Sequence, residues 1–159
     1  REKGTPVDNL CNYDSAQERI IFAGCLQKIK ASDLLFATAQ GMLKKVQGDE
    51  FDVAKRTIAA TKLQEGDAVI SVWCMETAEQ LVLRTHQGYF LRFKAEEVPW
   101  KKKGAVGVRG IRLGEEDKLE EVYGLETMEN PLIEYKEKEV DLRRLRTGKR
   151  DTKGTKIRI

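Results

Sequence analysis

Apolar residues in this chain come in short runs rather than in long one-sided stripes. Leu34-Leu35-Phe36, Val69-Ile70-Ser71-Val72-Trp73, Leu81-Val82-Leu83 and Tyr89-Phe90-Leu91-Arg92-Phe93 are rich in aliphatic, β-branched and aromatic residues. Runs of this length and composition predict strands. His86-Gln87-Gly88 separates two of them and predicts a hairpin turn whose glycine takes positive φ. Residues 115–124 carry two patterns. Leu119, Val122 and Tyr123 have helical spacing, but alignment with residues 67–73 makes the segment a strand, and a strand is expected.

The pattern repeats. Thr38-Ala39-Gln40-Gly41-Met42-Leu43-Lys44-Lys45-Val46 matches Thr85-His86-Gln87-Gly88-Tyr89-Phe90-Leu91-Arg92-Phe93 after 47 residues. Thr61-Lys62-Leu63 with Asp67 matches Ile111-Arg112-Leu113 with Asp117 after 50. Lys-Gly before a small residue occurs at Gly4, Gly104 and Gly154, with Ala54 in the vacant place. The chain therefore divides into about three periods, 1–54, 55–104 and 105–159. Each reads as four short strands; in the middle one these are 57–63, 68–73, 81–85 and 89–93. The last period has Lys136-Glu137-Lys138 at the turn, so its hairpin needs a different turn type. Four-stranded units at this period predict an all-β, propeller-like array of about three blades, either part of a larger disc or an open arc.

Composition removes several classes. The 159 residues are 40% hydrophobic and 35% charged, enough for a folded core and too ordered in make-up for a disordered tract. No apolar run reaches about 18 residues, the length of a membrane-spanning helix. The opening Arg1-Glu2-Lys3-Gly4 predicts no signal peptide and suggests a piece of something longer. Cys11, Cys25 and Cys74 are widely spaced, which predicts reduced, buried thiols rather than disulfides or a zinc site. His86 is the single histidine, so triads and histidine metal sites have almost nothing to build on.

Net charge is only +3, yet it is banded. Residues 92–113 hold seven basic side chains against Glu96 and Glu97. Residues 114–139 hold ten acids against three lysines, and 140–159 hold eight basic side chains against Asp141 and Asp151. Separated bands give a directional field.

Residues 34–46, 67–72 and 81–113 resemble blades of the C-terminal domain of the A subunit of bacterial type II topoisomerases, DNA gyrase and topoisomerase IV. The shared pattern is Thr-x-x-Gly-x-x-x-(Lys/Arg), then a basic glycine-containing box, then Ile-Arg-Leu-x-x-x-Asp. The ending Lys149-Arg150-Asp151-Thr152-Lys153-Gly154-Thr155-Lys156-Ile157-Arg158 resembles a terminal blade. The resemblance implies a β-pinwheel, a disc of blades that exchange strands with their neighbours and bind and bend DNA on a basic rim. It also implies a parent enzyme that uses ATP and magnesium to pass one duplex through another, in the bacterial cytoplasm on the chromosome. Its partners there are the breakage-reunion domain of the same polypeptide and the ATPase B subunit. The nucleophilic tyrosine and ATP site lie outside these residues, so no catalytic residue, cofactor site or metal site is expected here, and Tyr13, Tyr89, Tyr123 and Tyr135 take no catalytic role. Family discs have five or six blades, so three periods imply either further blades upstream or a short arc. Lys101-Lys102-Lys103-Gly104-Ala105-Val106-Gly107 is a dilute relative of the Gln-Arg-Arg-Gly-Gly-Lys-Gly wrapping box of gyrase, which points toward topoisomerase IV.

The residues agree with this on physical grounds. Lys and Arg neutralise phosphates and release counterions, and a bending rim needs them once per blade. The recurring boxes are Lys3 with Arg1, Lys55-Arg56, Lys101-Lys102-Lys103, and Lys149-Arg150 with Lys153, and Arg109, Arg112 and Lys156 join them as expected DNA contacts. Glycine in a box lets backbone N–H groups approach a phosphate. Phosphate contacts carry no base code, so shape and bendability are the expected basis of selection. Lys44, Lys45 and Arg92 form a second recurring set, either DNA contacts or a solvated strand edge. Trp73, Phe36, Phe90 and Phe93 read as blade core, Trp100 as packing beneath its box in preference to stacking at a partner surface, and Glu96-Glu97 as surface acids. The other reading open to the sequence is a propeller-like protein-interaction module. Boxes on one continuous rim favour DNA; opposed charged faces with an exposed apolar patch favour protein.

Overall fold

The computed structural model describes residues 2–158, so Arg1 lies outside the described residues. Two short helices, α1 (Val7–Leu10) and α2 (Leu26–Lys30), precede ten strands. These are β1 (Asp33–Thr38), β2 (Met42–Gln47), β3 (Val69–Cys74), β4 (Gln80–Thr85), β5 (Tyr89–Lys94), β6 (Val108–Arg109), β7 (Leu119–Gly124), β8 (Leu132–Tyr135), β9 (Lys138–Asp141) and β10 (Thr155–Lys156). The 115–124 segment is thus a strand at its apolar end, and the helical spacing there is incidental.

The sheets interleave along the chain. The first has the order β3-β1-β2-β6 and the second β10-β5-β4-β7. Each is an antiparallel hairpin flanked by two strands from later in the sequence. Strand β6 follows the second hairpin in sequence yet pairs with β2 of the first sheet. The sequence periods therefore do not coincide with sheets: β3 lies next to the second hairpin in sequence but pairs with the first hairpin. Residues 57–63, expected as a leading strand, form no strand. The β8–β9 hairpin stands alone as a two-stranded sheet.

The recurring residues hold each of the first two hairpin tips to the loop before the next flanking strand. Gly41 and Gly88 take φ of 81° and 88°, open to glycine and strained for other residues. Thr38 and Thr85 Oγ1 accept from the N–H of Met42 and Tyr89, each at 3.1 Å. Gln40 and Gln87 donate their side-chain amides to the carbonyls of Glu65 and Glu115. Asp67 and Asp117 Oδ1 accept from the backbone of the same two glutamines at 2.9 Å. In the third hairpin Lys136 and Glu137 both take positive φ, which builds a two-residue turn without glycine.

Unbroken apolar runs follow from burial on both faces. Leu35, Ala37 and Leu43 of the first sheet meet Leu81, Leu83, Leu91 and Phe93 of the second in one core. The opposite face of the second sheet, Val82 and Phe90, packs on Tyr135 and Val140 of the third hairpin and on Leu142 just after it. The opposite face of the first sheet, Leu34, Phe36 and Val46, is covered by Phe22, Ile29 and Phe51. Each fully buried leucine in such a core contributes about 1.5–3 kcal/mol. The third hairpin alternates instead: Tyr135 and Val140 are buried, while Leu132, Glu134 and Glu139 are exposed. It has one apolar face and closes that end of the stack. None of the three thiols is buried as expected: Cys11 and Cys25 are exposed and Cys74 is half-buried.

Candidate nucleic-acid interface

The two C-terminal boxes are loops that lie across the second strand of a hairpin. The first leaves Pro99, which accepts from Lys45 N–H at 3.1 Å, and returns at β6 against Met42 and Leu43. The second leaves Thr147, bridged to Arg92, and returns at β10 against Tyr89 and Phe90. The crossings need glycine. A Cβ on Gly107 would stand 2.3 Å from the Leu43 carbonyl oxygen, and one on Gly154 would stand 2.5 Å from that of Phe90. Gly107 and Gly154 are therefore equivalent, 47 residues apart. The Gly104–Gly154 match at 50 is not the structural one, and a Cβ on Gly104 meets only open space.

Two carboxylates hold the loops, and sequence reasoning missed both. Glu50 Oε1 accepts from Lys103 N–H at 3.2 Å, and Glu97 Oε1 accepts from Arg150 N–H at 3.0 Å. Glu50 and Glu97 repeat at the same spacing of 47 as the hairpin blocks, a signal the sequence carried. Glu97 is a loop anchor rather than a free surface acid.

The boxes join edge to edge. Asp151 N–H donates to Gly110 O at 2.9 Å, Arg112 N–H donates to Thr152 O at 2.9 Å, and Ile111 bridges Thr152. Arg150 donates to the carbonyls of Glu97 (2.9 Å) and Arg109 (2.7 Å). Asp151 receives Arg109 at 2.5 Å and Arg112 at 3.4 Å. The bond from Arg109, then the charge of both arginines, holds the Asp151 carboxyl below its usual range, and Asp151 raises Arg109 in return. The result is one continuous band from Lys101 to Lys156.

Its free cations are fewer than the sequence set. Lys101, Lys102 and Lys149 are exposed, with no side-chain partner among the described residues. Lys153 and Lys156 are exposed and lie 4.8 and 5.6 Å from the Tyr89 ring centroid. Arg109 and Arg112 are exposed but share Asp151. Lys103 is half-buried and donates to Glu50 O at 3.1 Å. Lys45 is half-buried over the Trp100 ring at 4.9 Å. Lys3, Lys55 and Arg56 are exposed and belong to neither of the two joined loops.

Lys44 and Arg92 need correction. Lys44 is 2% exposed, and its ammonium donates to the carbonyls of Ala105 (2.7 Å), Lys103 (2.9 Å) and Lys102 (3.3 Å). Burial pushes it down to about 8, with Glu50 pulling the other way. It is a strut beneath the first box. Arg92 does the same beneath the second, donating to Gln80 Oε1 and Arg143 O, each at 2.6 Å, and to Leu145 O at 3.2 Å. Lys44 does not face solvent as a DNA contact must, and Arg92 is half-buried with its guanidinium committed to these acceptors. Trp100 is also placed differently: it is 49% exposed at the start of its loop, not packed beneath it.

At the other side of the second sheet Glu120 pairs with Arg84 (2.7 Å) and His86 (2.5 Å). Among the described residues, no group of three or more His, Cys, Asp or Glu side chains is placed to hold a metal ion.

Comparison with known proteins places this geometry. The family model described as DNA gyrase C-terminal domain, beta-propeller, matches residues 32–72 and 79–123, more than half of the chain. The gyrase A protein of Klebsiella oxytoca is 31% identical over 118 residues, covering 74% of this chain and 14% of that protein. Its counterpart in Chlamydia pneumoniae is 34% identical over 123 residues, covering 75% of this chain and 15% of that protein. The chain thus spans about one-seventh of the length of these relatives. The solved C-terminal domain of a DNA topoisomerase IV superposes with a TM-score of 0.78 at 24% identity, over 97% of this chain and 50% of that one. A DNA gyrase A C-terminal domain gives 0.77 at 23%, over 97% and 53%. The fold is the one expected, an all-β array of strand-exchanging blades, and the chain belongs to the family of DNA gyrase C-terminal β-propeller domains.

Proposed function

We propose that this chain binds duplex DNA without sequence preference and bends it along the band of boxes. The observation that carries the reading is the joining of two boxes into one ribbon, with Lys101, Lys102, Lys149, Lys153 and Lys156 facing out. Phosphates lie at regular spacing along a duplex, and a ribbon of lysines on rigid loops tracks them. A continuous basic band was the feature that separates DNA from a protein partner. The family supports the same reading.

On this proposal the chain is a DNA-handling part of the A subunit of a type II topoisomerase in the bacterial cytoplasm. Strand cleavage, ATP and magnesium belong to the breakage-reunion domain and the B subunit of that enzyme. The dilute box at residues 101–107 suits the looser bending of topoisomerase IV better than the tight wrap of gyrase.

The test is a salt titration of binding to duplexes of about 20 and about 100 base pairs, read by fluorescence anisotropy. Tighter binding per site on the longer duplex, a steep negative salt slope and indifference to sequence are expected. Absence of binding at low salt overturns the proposal.

A further inference from the structure

Trp100 stands out along the band. Phe36, Phe90 and Phe93 are buried, whereas Trp100 leaves about half of its surface in water. It does not sit on a loose loop. Lys45 donates to Pro99 O at 3.1 Å, and Lys101 donates to Lys45 O at 2.8 Å, so the backbone is pinned to β2 on both sides of the indole. The Lys45 ammonium covers the ring at 4.9 Å. The next two residues, Lys101 and Lys102, are the exposed cations of the box. The equivalent place in the second box is Thr147, which makes the same bridge, so the loop does not need an indole to fold. Trp100 also borders a cleft in which the four carboxylates of Asp33, Glu76, Glu79 and Glu96 outnumber the two ammonium groups of Lys45 and Lys94. Those carboxylates repel phosphates, which leaves the box side as the approach for a duplex.

Resting on the DNA-binding reading, we propose that Trp100 is a base-contacting wedge. With phosphates on Lys101 and Lys102, the indole meets the base edges between them and stacks where a step opens. Aromatic groups flanked by cations bind bases this way, and apolar wedges kink duplexes at such steps. Opening a step costs less where pairing is already broken, so the chain selects duplexes by local deformability rather than by sequence.

The experiment uses the 159-residue chain and two 20-base-pair duplexes, one fully paired and one with a central mismatch. Anisotropy reads affinity, and indole emission reads stacking. Wild type is expected to bind the mismatched duplex about tenfold tighter, the share of roughly one aromatic–base stack. Emission should be quenched on binding, and the quench should vanish in Trp100→Phe, which leaves Trp73 as the remaining tryptophan. Trp100→Ala should bind both duplexes alike with the wild-type salt slope, because no phosphate contact is lost. Its thermal midpoint checks that the fold is intact. A mismatch preference that survives in Trp100→Ala, or none in wild type, overturns the wedge while leaving DNA binding in place. Failure of wild type to bind either duplex at low salt overturns the DNA reading itself.

Discussion

Lys44→Met is the sharpest test of how the boxes are held. The substitution keeps an unbranched side chain of similar reach and removes the ammonium. Three carbonyls then lose their donor, those of Lys102, Lys103 and Ala105. Hydrogen bonds from a charged donor contribute about 1.5–3 kcal/mol each. Against this, the native ammonium is held in a buried place that lowers it from 10.5 to about 8. That shift corresponds to about 3 kcal/mol of cost for the charged form. Water reaches the exposed part of the loop and repairs some of the loss. The balance is a destabilisation of about 2–4 kcal/mol at pH 7, within the range for breaking a buried network.

The pH dependence has a definite sign. Lys44 releases its proton near 8 when folded and near 10.5 when unfolded. Between those values the unfolded chain binds more protons, so raising pH favours the folded state. Wild type should therefore gain on Lys44→Met by about 2 kcal/mol between pH 8 and pH 10. Urea unfolding of both proteins at pH 7, 8 and 10 measures the gap, and the difference cancels other titrating groups. DNA binding adds a second readout. Lys44 is buried, so Lys44→Met should keep the salt slope, whereas each lost phosphate contact flattens it by about 0.9. A variant as stable as wild type at pH 7, with a gap that does not widen, would falsify the strut.

Other consequences are as direct. Gly107→Ala and Gly154→Ala force a Cβ onto a backbone carbonyl at 2.3 and 2.5 Å. Each should cost about 2–3 kcal/mol in thermal unfolding, while Gly104→Ala, with open space around it, should stay within about 0.5 kcal/mol. Lys101→Ala with Lys102→Ala should flatten the log–log salt slope by about 1.8 and leave the melting temperature unchanged; an unaltered slope removes both from the interface. Burial opposes ionisation of Glu120, but His86 and Arg84 together hold its carboxyl below the ordinary 4.5. Its stabilising effect is thus present above the unfolded value and lost as pH falls through the lower folded one. Glu120→Gln should be less stable than wild type by about 1 kcal/mol at pH 7, with the gap closing at strongly acid pH in urea melts.

The hairpins were legible because their causes are local. A threonine, a glutamine and a glycine within four residues set each of the first two tips, and the aspartate that completes it recurs at nearly the same distance. Apolar runs covered on both faces reported the stacking of sheets, and the alternation in β8 and β9 marked a hairpin covered on one face. The assignment of strands to sheets was less legible. Sequence order places 69–74 with the hairpin that follows it, but the ladder forms with the hairpin before it. Only backbone pairing over a crossover decides that, and pairing leaves little trace in side-chain type.

The candidate site divides along the same line. A lysine reads alike in sequence whether it faces a phosphate or a carbonyl. Lys44 and Arg92 look like the outward cations of a strand edge, yet carbonyls 51 to 61 residues further along the chain accept their protons. Their burial depends on a loop that crosses above them, and that crossing exists because Gly107 and Gly154 admit it. The two facts belong together. A loop that lies flat on a strand leaves its inner carbonyls without water, and a long cation rising from the strand beneath satisfies several at once. A basic residue in mid-strand and a glycine in the following box are therefore one device. Where both occur at the proper spacing the box is rigid, and its outer lysines are left to meet the duplex.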